Sequence, residues 1–196
     1  MSGRTHTDFI QKEQTEEIEK EKEKETMERS LRIAVVCASN MNRSVEAHAL
    51  LQKRGFDVSS FGVSQTAKLP GSSADRPNIF PFSSTYAEIY ETLRRQDFEL
   101  YTQNGVLSML ERNMRVKNGP ERWQSRRDNF PVVITYEPRI FDAVIEDLES
   151  RPFVSGDTIH VFNITVKDTH EDATSGSILT FELVQMLRND QSWEDH

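Results

Sequence analysis

Large apolar residues are nearly absent from the first 30 positions and then set in abruptly. Within QKEQTEEIEKEKEKETMERS only Ile18 and Met27 break the run of charge, and Glu16–Lys20 and Glu25–Arg29 carry the acid-before-base spacing of a solvated helix. With no apolar stripe to bury, residues 1–30 are expected to form a charged arm, disordered or an exposed helix. From Leu31 onward, short apolar runs alternate with helical stripes. LRIAVVC is apolar at every position but Arg32, the signature of a strand covered on both faces. Glu46 to Arg54 reads as a helix with Ala47, Leu50 and Leu51 on one side and Gly55 as its stop.

FDVSSFG reads as a second strand, and the Pro-, Gly- and Ser-rich AKLPGSSADRPN as a loop. Thr85 and Glu88 fit a capping box, and Tyr86, Ile89, Tyr90 and Leu93 form the stripe of the helix it opens. A further helix is expected over Gly105–Arg115. FPVVITY is the third strand, followed by a helix with Pro138 at its start and Phe141, Val144, Ile145 and Leu148 buried. TIHVFNI is the fourth strand, and Ile178–Arg188 the last helix. Strands separated by helices predict an α/β domain over residues 31–190, a three-layer parallel four-stranded sheet flanked by helices, with 191–196 as a short tail. Ligands of such sheets bind beyond the carboxyl ends of the strands, near a switch in strand order.

The charge balance narrows the partners. A net charge of -8 argues against direct binding to nucleic acid, which needs a basic surface, and requires that any phosphate site be local. No apolar run is long enough to span a bilayer, and the absence of an apolar leader points to a reducing, intracellular setting. A single cysteine, Cys37, excludes an intramolecular disulfide, a two-cysteine redox relay and a zinc-thiolate site.

That cysteine stands where the first strand gives way to a helix. Five residues, Ala38, Ser39, Asn40, Met41 and Asn42, separate it from Arg43-Ser44. A loop of this length can curl round an anion with its amides turned inward, and the following helix N-terminus adds donors and partial positive charge. Arg43 supplies a planar fork for phosphate oxygens. These groups also favour a thiolate, and the Ser44 hydroxyl is placed to donate to the sulfur. One constellation thus binds a phosphate and aims a nucleophile at its phosphorus. Asn40 and Asn42 are expected to brace the loop, because Asn tolerates left-handed backbone.

A serine alkoxide is a poor leaving group, so cleavage of a phosphoserine needs a general acid. Asp168, Glu171 and Asp172, after the fourth strand, are all candidates, and spacing alone does not choose among them. The five histidines show no metal-ligand spacing. His48 reads as a helix-face or core residue, and His170-Glu171 as loop surface.

VVCASNMNRSVEAH, KLPG, LYTQNG, PERWQ and KDTHEDAT, in this order, resemble the RNA polymerase II C-terminal-domain phosphatases of the messenger-RNA cleavage and polyadenylation machinery, which are related in fold to low-molecular-weight tyrosine phosphatases. The similarity runs from about Leu31 to Arg188. It implies a nuclear phosphoprotein phosphatase acting on the fifth-position serine of the polymerase heptads, before a cis proline, through a cysteinyl-phosphate. Cys37 would be the nucleophile, Arg43 and the loop amides the phosphate holders, and Asp168 the acid. Lys68, Leu69, Pro70 and Met109 would line the peptide groove. No metal or cofactor would be needed, and the partner would be a symplekin-like scaffold subunit.

The chain departs from that pattern at Tyr136-Glu137-Pro138, at Thr165 where an Asp is usual, in its charged arm, and in ending at WEDH, which suggests a divergent paralogue. A tyrosine phosphatase of the same fold and a non-catalytic phosphopeptide reader are the alternatives.

Overall fold

The computed structural model describes residues 31–73, 75–152 and 158–189. The expected arm (residues 1–30) and tail (191–196) lie outside them. Strand β1 (Ile33–Cys37) leads into helix α1 (Arg43–Lys53) and strand β2 (Val58–Gly62). A hairpin of β3 (Ala67–Ser73) and β4 (Arg76–Phe80) precedes α2 (Tyr86–Gln103) and α3 (Val106–Val116). Then come β5 (Val132–Thr135), α4 (Pro138–Ser150), β6 (His160–Asn163) and α5 (His170–Asn189).

The main sheet has the order β2-β1-β5-β6, with all neighbours parallel. Its core comes from the apolar runs read in the sequence: all five residues of β1 and all four of β5 are buried. Ala34, Val36 and Val133 point to one face, where they pack with Trp123 and with Ile140 and Val144 of α4. Alternation along the strand sends Ile33 and Val35 to the other face, on the side of α1, which also packs against α5. Far from the loop, α1 and α5 are joined by a run of stacked groups. Arg54 lies over Phe181, Phe181 meets Phe56 edge to face, and Arg188 lies over Phe56. A second cluster joins Met41 and Val45 to the hairpin and to the inner faces of α2 and α3.

Three expectations change. The Pro- and Gly-rich stretch is not a loop; it is the hairpin, in which Pro70 and Pro77 sit at exposed positions where a ladder donor is dispensable. Helix α1 begins at Arg43 rather than Glu46, so the Arg-Ser pair is its first turn. Helix α5 begins at His170, eight residues before the apolar stripe, so His170 and Glu171 are helical rather than loop. Thr169 starts it by accepting the amide of Asp172 at 3.1 Å while donating to that residue's carboxylate at 2.8 Å. Two details also shift in α4, where Ile140 and Val144 are the fully buried residues and Phe141, Ile145 and Leu148 are only partly covered. The capping box at Thr85–Glu88 is formed as read.

Candidate active site

Strand order reverses direction at β1: β2 lies on one side of it and β5 on the other. The crevice at the carboxyl ends of β1 and β5 is therefore the switch point, and Cys37 is the last residue of β1. The turn that follows is held from outside, carbonyl by carbonyl. Cys37 O accepts from Val63 N at 3.1 Å and Ala38 O from Ser64 N at 3.0 Å. Asn40 O accepts from the Tyr86 hydroxyl at 2.7 Å, Met41 O from Asn113 Nδ2 at 2.8 Å, and Asn42 O from Glu46 N at 2.9 Å. In a trans peptide the N–H points opposite to the C=O. Tying these carbonyls to the surrounding elements turns the amides of residues 38, 39, 41, 42 and 43 to the inside of the turn.

Asn40 is the pivot. It is fully buried at φ 52, the left-handed backbone that its residue type was expected to supply. Its Nδ2 donates to Ser44 Oγ at 2.9 Å, and its Oδ1 accepts from Glu121 N at 2.9 Å. Ser44 Oγ lies 3.0 Å from Cys37 Sγ. Because an amide nitrogen can only donate, Ser44 must accept from Asn40, which frees its own hydrogen for the sulfur. Gly62 closes the back of the turn: a Cβ there would stand 2.7 Å from Ala38 O and 2.9 Å from Asn40 N. Burial, with Cys37 nearby, pushes the Tyr86 hydroxyl well above its ordinary range, so it remains a donor to Asn40 O.

Arg43 is buried (4% exposed), and most of its donors are used behind the site. Nη1 and Nη2 each reach Glu137 Oε2 at 3.2 Å, and Nη1 also donates to Val166 O at 2.9 Å. Hydrogen bonds from Arg139, and then from Arg43, hold the Glu137 carboxyl below its usual range despite partial burial. Glu137 thus takes the end of the fork expected to meet phosphate. The Nε edge is what remains, and among the described residues that buried Nε has no hydrogen-bond partner. Asp168 Oδ1 rests 3.6 Å from it and accepts from Asn42 Nδ2 at 3.0 Å. Asn42 Nδ2 also donates to Thr169 O at 3.1 Å.

Of the three candidate acids, Asp168 is therefore the one brought to Arg43 and the loop, and its side chain remains 58% exposed. Asp172 is bonded to Thr169 at the start of α5, and Glu171 is exposed. His48 is buried as read, with Nδ1 2.8 Å from Ser60 Oγ. Lys68 touches the loop, its amide donating to Ser39 Oγ at 3.1 Å, and Lys68 and Pro70 are exposed. Leu69 and Met109 are 4% and 6% exposed and belong to the core cluster, so they form the support beneath that surface rather than an open groove wall. The roles of Tyr86, Asn113, Glu121 and Gly62 and the grip of Glu137 on Arg43 go beyond the sequence reading. Glu121, within PERWQ, and Glu137-Pro138, as a departure from the related sequences, carry a signal in the sequence.

Fold and site together define an α/β protein with a Cys-x5-Arg-Ser turn of inward amides at the switch point of a parallel sheet. The sequence profile of the Ssu72-like proteins matches residues 31–196, and the chain belongs to that family. The RNA polymerase II C-terminal domain phosphatase SSU72 of Danio rerio is 53% identical over 165 residues, 84% of this chain and 85% of the relative. The Homo sapiens protein of the same name is 49% identical over the same shares. The crystal structure of the serine phosphatase of RNA polymerase II CTD from Drosophila melanogaster superposes with a TM-score of 0.80 at 44% identity, covering 82% of this chain and 84% of that one. A second Drosophila structure holds Ssu72 with Symplekin and a cis peptidomimetic of the CTD phosphorylated on its fifth-position serine. It gives a TM-score of 0.80 at 42% identity, with the same coverage.

Proposed function

We propose that the chain is a cysteine-dependent protein phosphatase that removes phosphate from the fifth-position serine of the RNA polymerase II C-terminal heptads, before a cis proline. The observation that carries this reading is the turn itself: a sulfur at the end of a central strand, surrounded by amides whose carbonyls are tied away from it. Family membership supplies the substrate, since the relatives are named as phosphatases of that domain.

In the proposed mechanism, the phosphoryl oxygens lie against the amides of residues 38, 39, 41, 42 and 43 and the Nε edge of Arg43, beside which the Asp168 carboxylate rests. The Cys37 sulfur attacks phosphorus in line; the S–P bond forms as the serine O–P bond breaks. Asp168, at the mouth of the turn, gives its proton to the departing serine oxygen. It then takes a proton from the water that attacks the cysteinyl-phosphate. Ser44 Oγ donates to the sulfur as the S–P bond breaks, and inorganic phosphate leaves. Exposed Lys68, whose amide donates to Ser39 Oγ in the turn, and exposed Pro70 would meet the peptide that enters with the phosphate.

A substrate on the polymerase implies a nuclear location, and the Drosophila complex with Symplekin supports a symplekin-like scaffold as partner. We take residues 31–190 as the phosphatase domain, with the charged arm outside it. The test is steady-state turnover of defined heptads phosphorylated on the fifth serine, beside phosphotyrosine peptides. Wild type is expected to prefer the serine heptads, and Cys37→Ser to lose about 10⁴-fold or more of the rate. A phosphotyrosine preference would overturn the substrate, and equal rates for wild type and Cys37→Ser would overturn the mechanism.

A further inference from the structure

The peptide after Met41 is held by more than a neutral donor. Met41 O accepts from Asn113 Nδ2 at 2.8 Å and also from the Arg112 guanidinium, through Nη2 at 3.0 Å. The same cation reaches Asn42 O more distantly, at 3.4 Å. Arg112 and Asn113 both lie on α3, more than one helix and one hairpin further along the chain. Asn113 is completely buried, and its Oδ1 accepts from Arg112 Nε at 3.0 Å and from Nη2 at 2.7 Å. Arg112 Nη1 donates to the Glu46 carboxylate in the first turn of α1. Every nitrogen of the guanidinium is thereby committed, and the side chain is only 15% exposed. By contrast, the carbonyls of Cys37, Ala38 and Asn40 are tied by backbone amides and a hydroxyl.

The peptide so held carries the Asn42 amide on its other side. Regular helix geometry does not fix that amide: Asn42 has φ -114 and ψ -83, outside the helix. If this peptide turned over, an amide donor would leave the cup and a carbonyl oxygen would enter it. We propose that Arg112 and Asn113 are positioning residues for phosphoryl transfer, gripping the Met41 carbonyl from outside the turn and so aiming the Asn42 amide at the phosphate. The cation also draws electron density from that peptide, which strengthens its N–H as a donor to an anion. Glu46 fixes the guanidinium and balances its charge. Neither Arg112 nor Asn113 touches substrate. The inference rests on the reading of the turn as a phosphate cup.

The experiment compares wild type, Arg112→Met and Arg112→Lys in the full chain. Vanadate affinity is measured by calorimetry, kcat and KM on an aryl phosphate, and the melting temperature alongside. Arg112→Met is expected to lose roughly 10²-fold in both vanadate affinity and kcat, the scale of a misplaced site group. Arg112→Lys keeps a charged donor without the planar fork, and it is expected to recover about tenfold of that loss, remaining several-fold below wild type. A Met variant that binds vanadate and turns over within about twofold of wild type, whatever its melting temperature, overturns the proposal. So does a Lys variant as impaired as the Met variant. If Arg112→Met does not fold, Arg112→Lys decides alone: vanadate affinity reduced several-fold supports the grip, and unchanged affinity overturns it. Calorimetry needs no turnover, so wild type that binds vanadate but cleaves no ester sinks the phosphatase assignment while the comparison of variants still judges Arg112. Wild type that binds no vanadate sinks the present inference.

Discussion

The turn carrying Cys37 and the segment carrying Asp168 face each other across the end of the sheet, and they are secured in different ways. The first is largely enclosed and tied at five carbonyls by α1, α2, α3 and the residues that follow β2. The second is fastened through its backbone on either side of Asp168, by Ile164 N to Thr135 O at 2.8 Å, Val166 N to Tyr136 O at 3.0 Å, Arg43 Nη1 to Val166 O at 2.9 Å and Asn42 Nδ2 to Thr169 O at 3.1 Å. The Asp168 carboxylate itself stays 58% exposed, against Asn42 and Arg43. The chemistry explains the contrast. Donors that stabilise developing charge work best when fixed before the substrate arrives, because no reorganisation is then needed. An acid that serves a leaving oxygen and then a water must reach two positions, which suits a side chain held by few contacts.

The largest expected effect separates the two sides by substrate. Asp168→Asn should slow serine-ester cleavage by roughly 10²- to 10⁴-fold and an activated aryl ester far less, because the aryl oxygen leaves with little need of a proton. Equal losses on both esters would show that the lightly held side supplies no acid. On the fixed side, stability is expected to follow His48, which burial, helped by Lys117, pushes down to about 4 from 6.5. The folded chain then binds fewer protons than the unfolded one across that window, so stability rises with pH from about 4 to 6.5. About 3 kcal/mol is lost as the pH falls through it. Urea midpoints at pH 7 and pH 4.5 should therefore converge more in His48→Gln than in wild type; parallel shifts would remove His48 from the account.

Gly62→Ala tests the rigidity of the turn directly. Its added methyl must displace Ala38 O or Asn40 N, and kcat on either ester should fall roughly 10- to 100-fold while the protein still folds. An unchanged kcat would mean that the turn yields freely. Asn42→Ala, which cuts the bond from turn to acid, should have the smallest effect. The expected loss is about 1 kcal/mol, or roughly fivefold in rate, confined to the serine ester. A loss shared by the aryl ester would show that this side chain shapes the cup instead.

Much of this layout was legible because local chemistry repeats itself. The doubly buried runs gave β1 and β5, Thr85 and Glu88 gave the start of α2, and Cys37, Arg43 and Ser44 sat at an offset that already meant an anion turn. The misses share a cause: in each, a tertiary contact overrode composition. Arg43 and Ser44 read as lying outside α1 because they are polar, yet both are buried to serve the turn. The first turns of α5 looked like loop because HEDATSGS is polar and contains Gly176. That glycine is in fact required, since a Cβ there would lie 2.7 Å from Val166 Cγ2. Thr169 and Asp172 did carry a capping signal, hidden by the polar residues around it. The hairpin hid behind two prolines. No pattern within α3 points to the turn, because the carbonyl that Asn113 holds is 72 residues away.

The stack of Arg54, Phe181, Phe56 and Arg188 bears on the site from a distance. It fastens together the carboxyl ends of two helices whose amino ends carry Arg43 and follow Asp168. The two helices that frame the mouth of the turn are thus clasped at their far ends by side chains that lie outside the chemistry altogether.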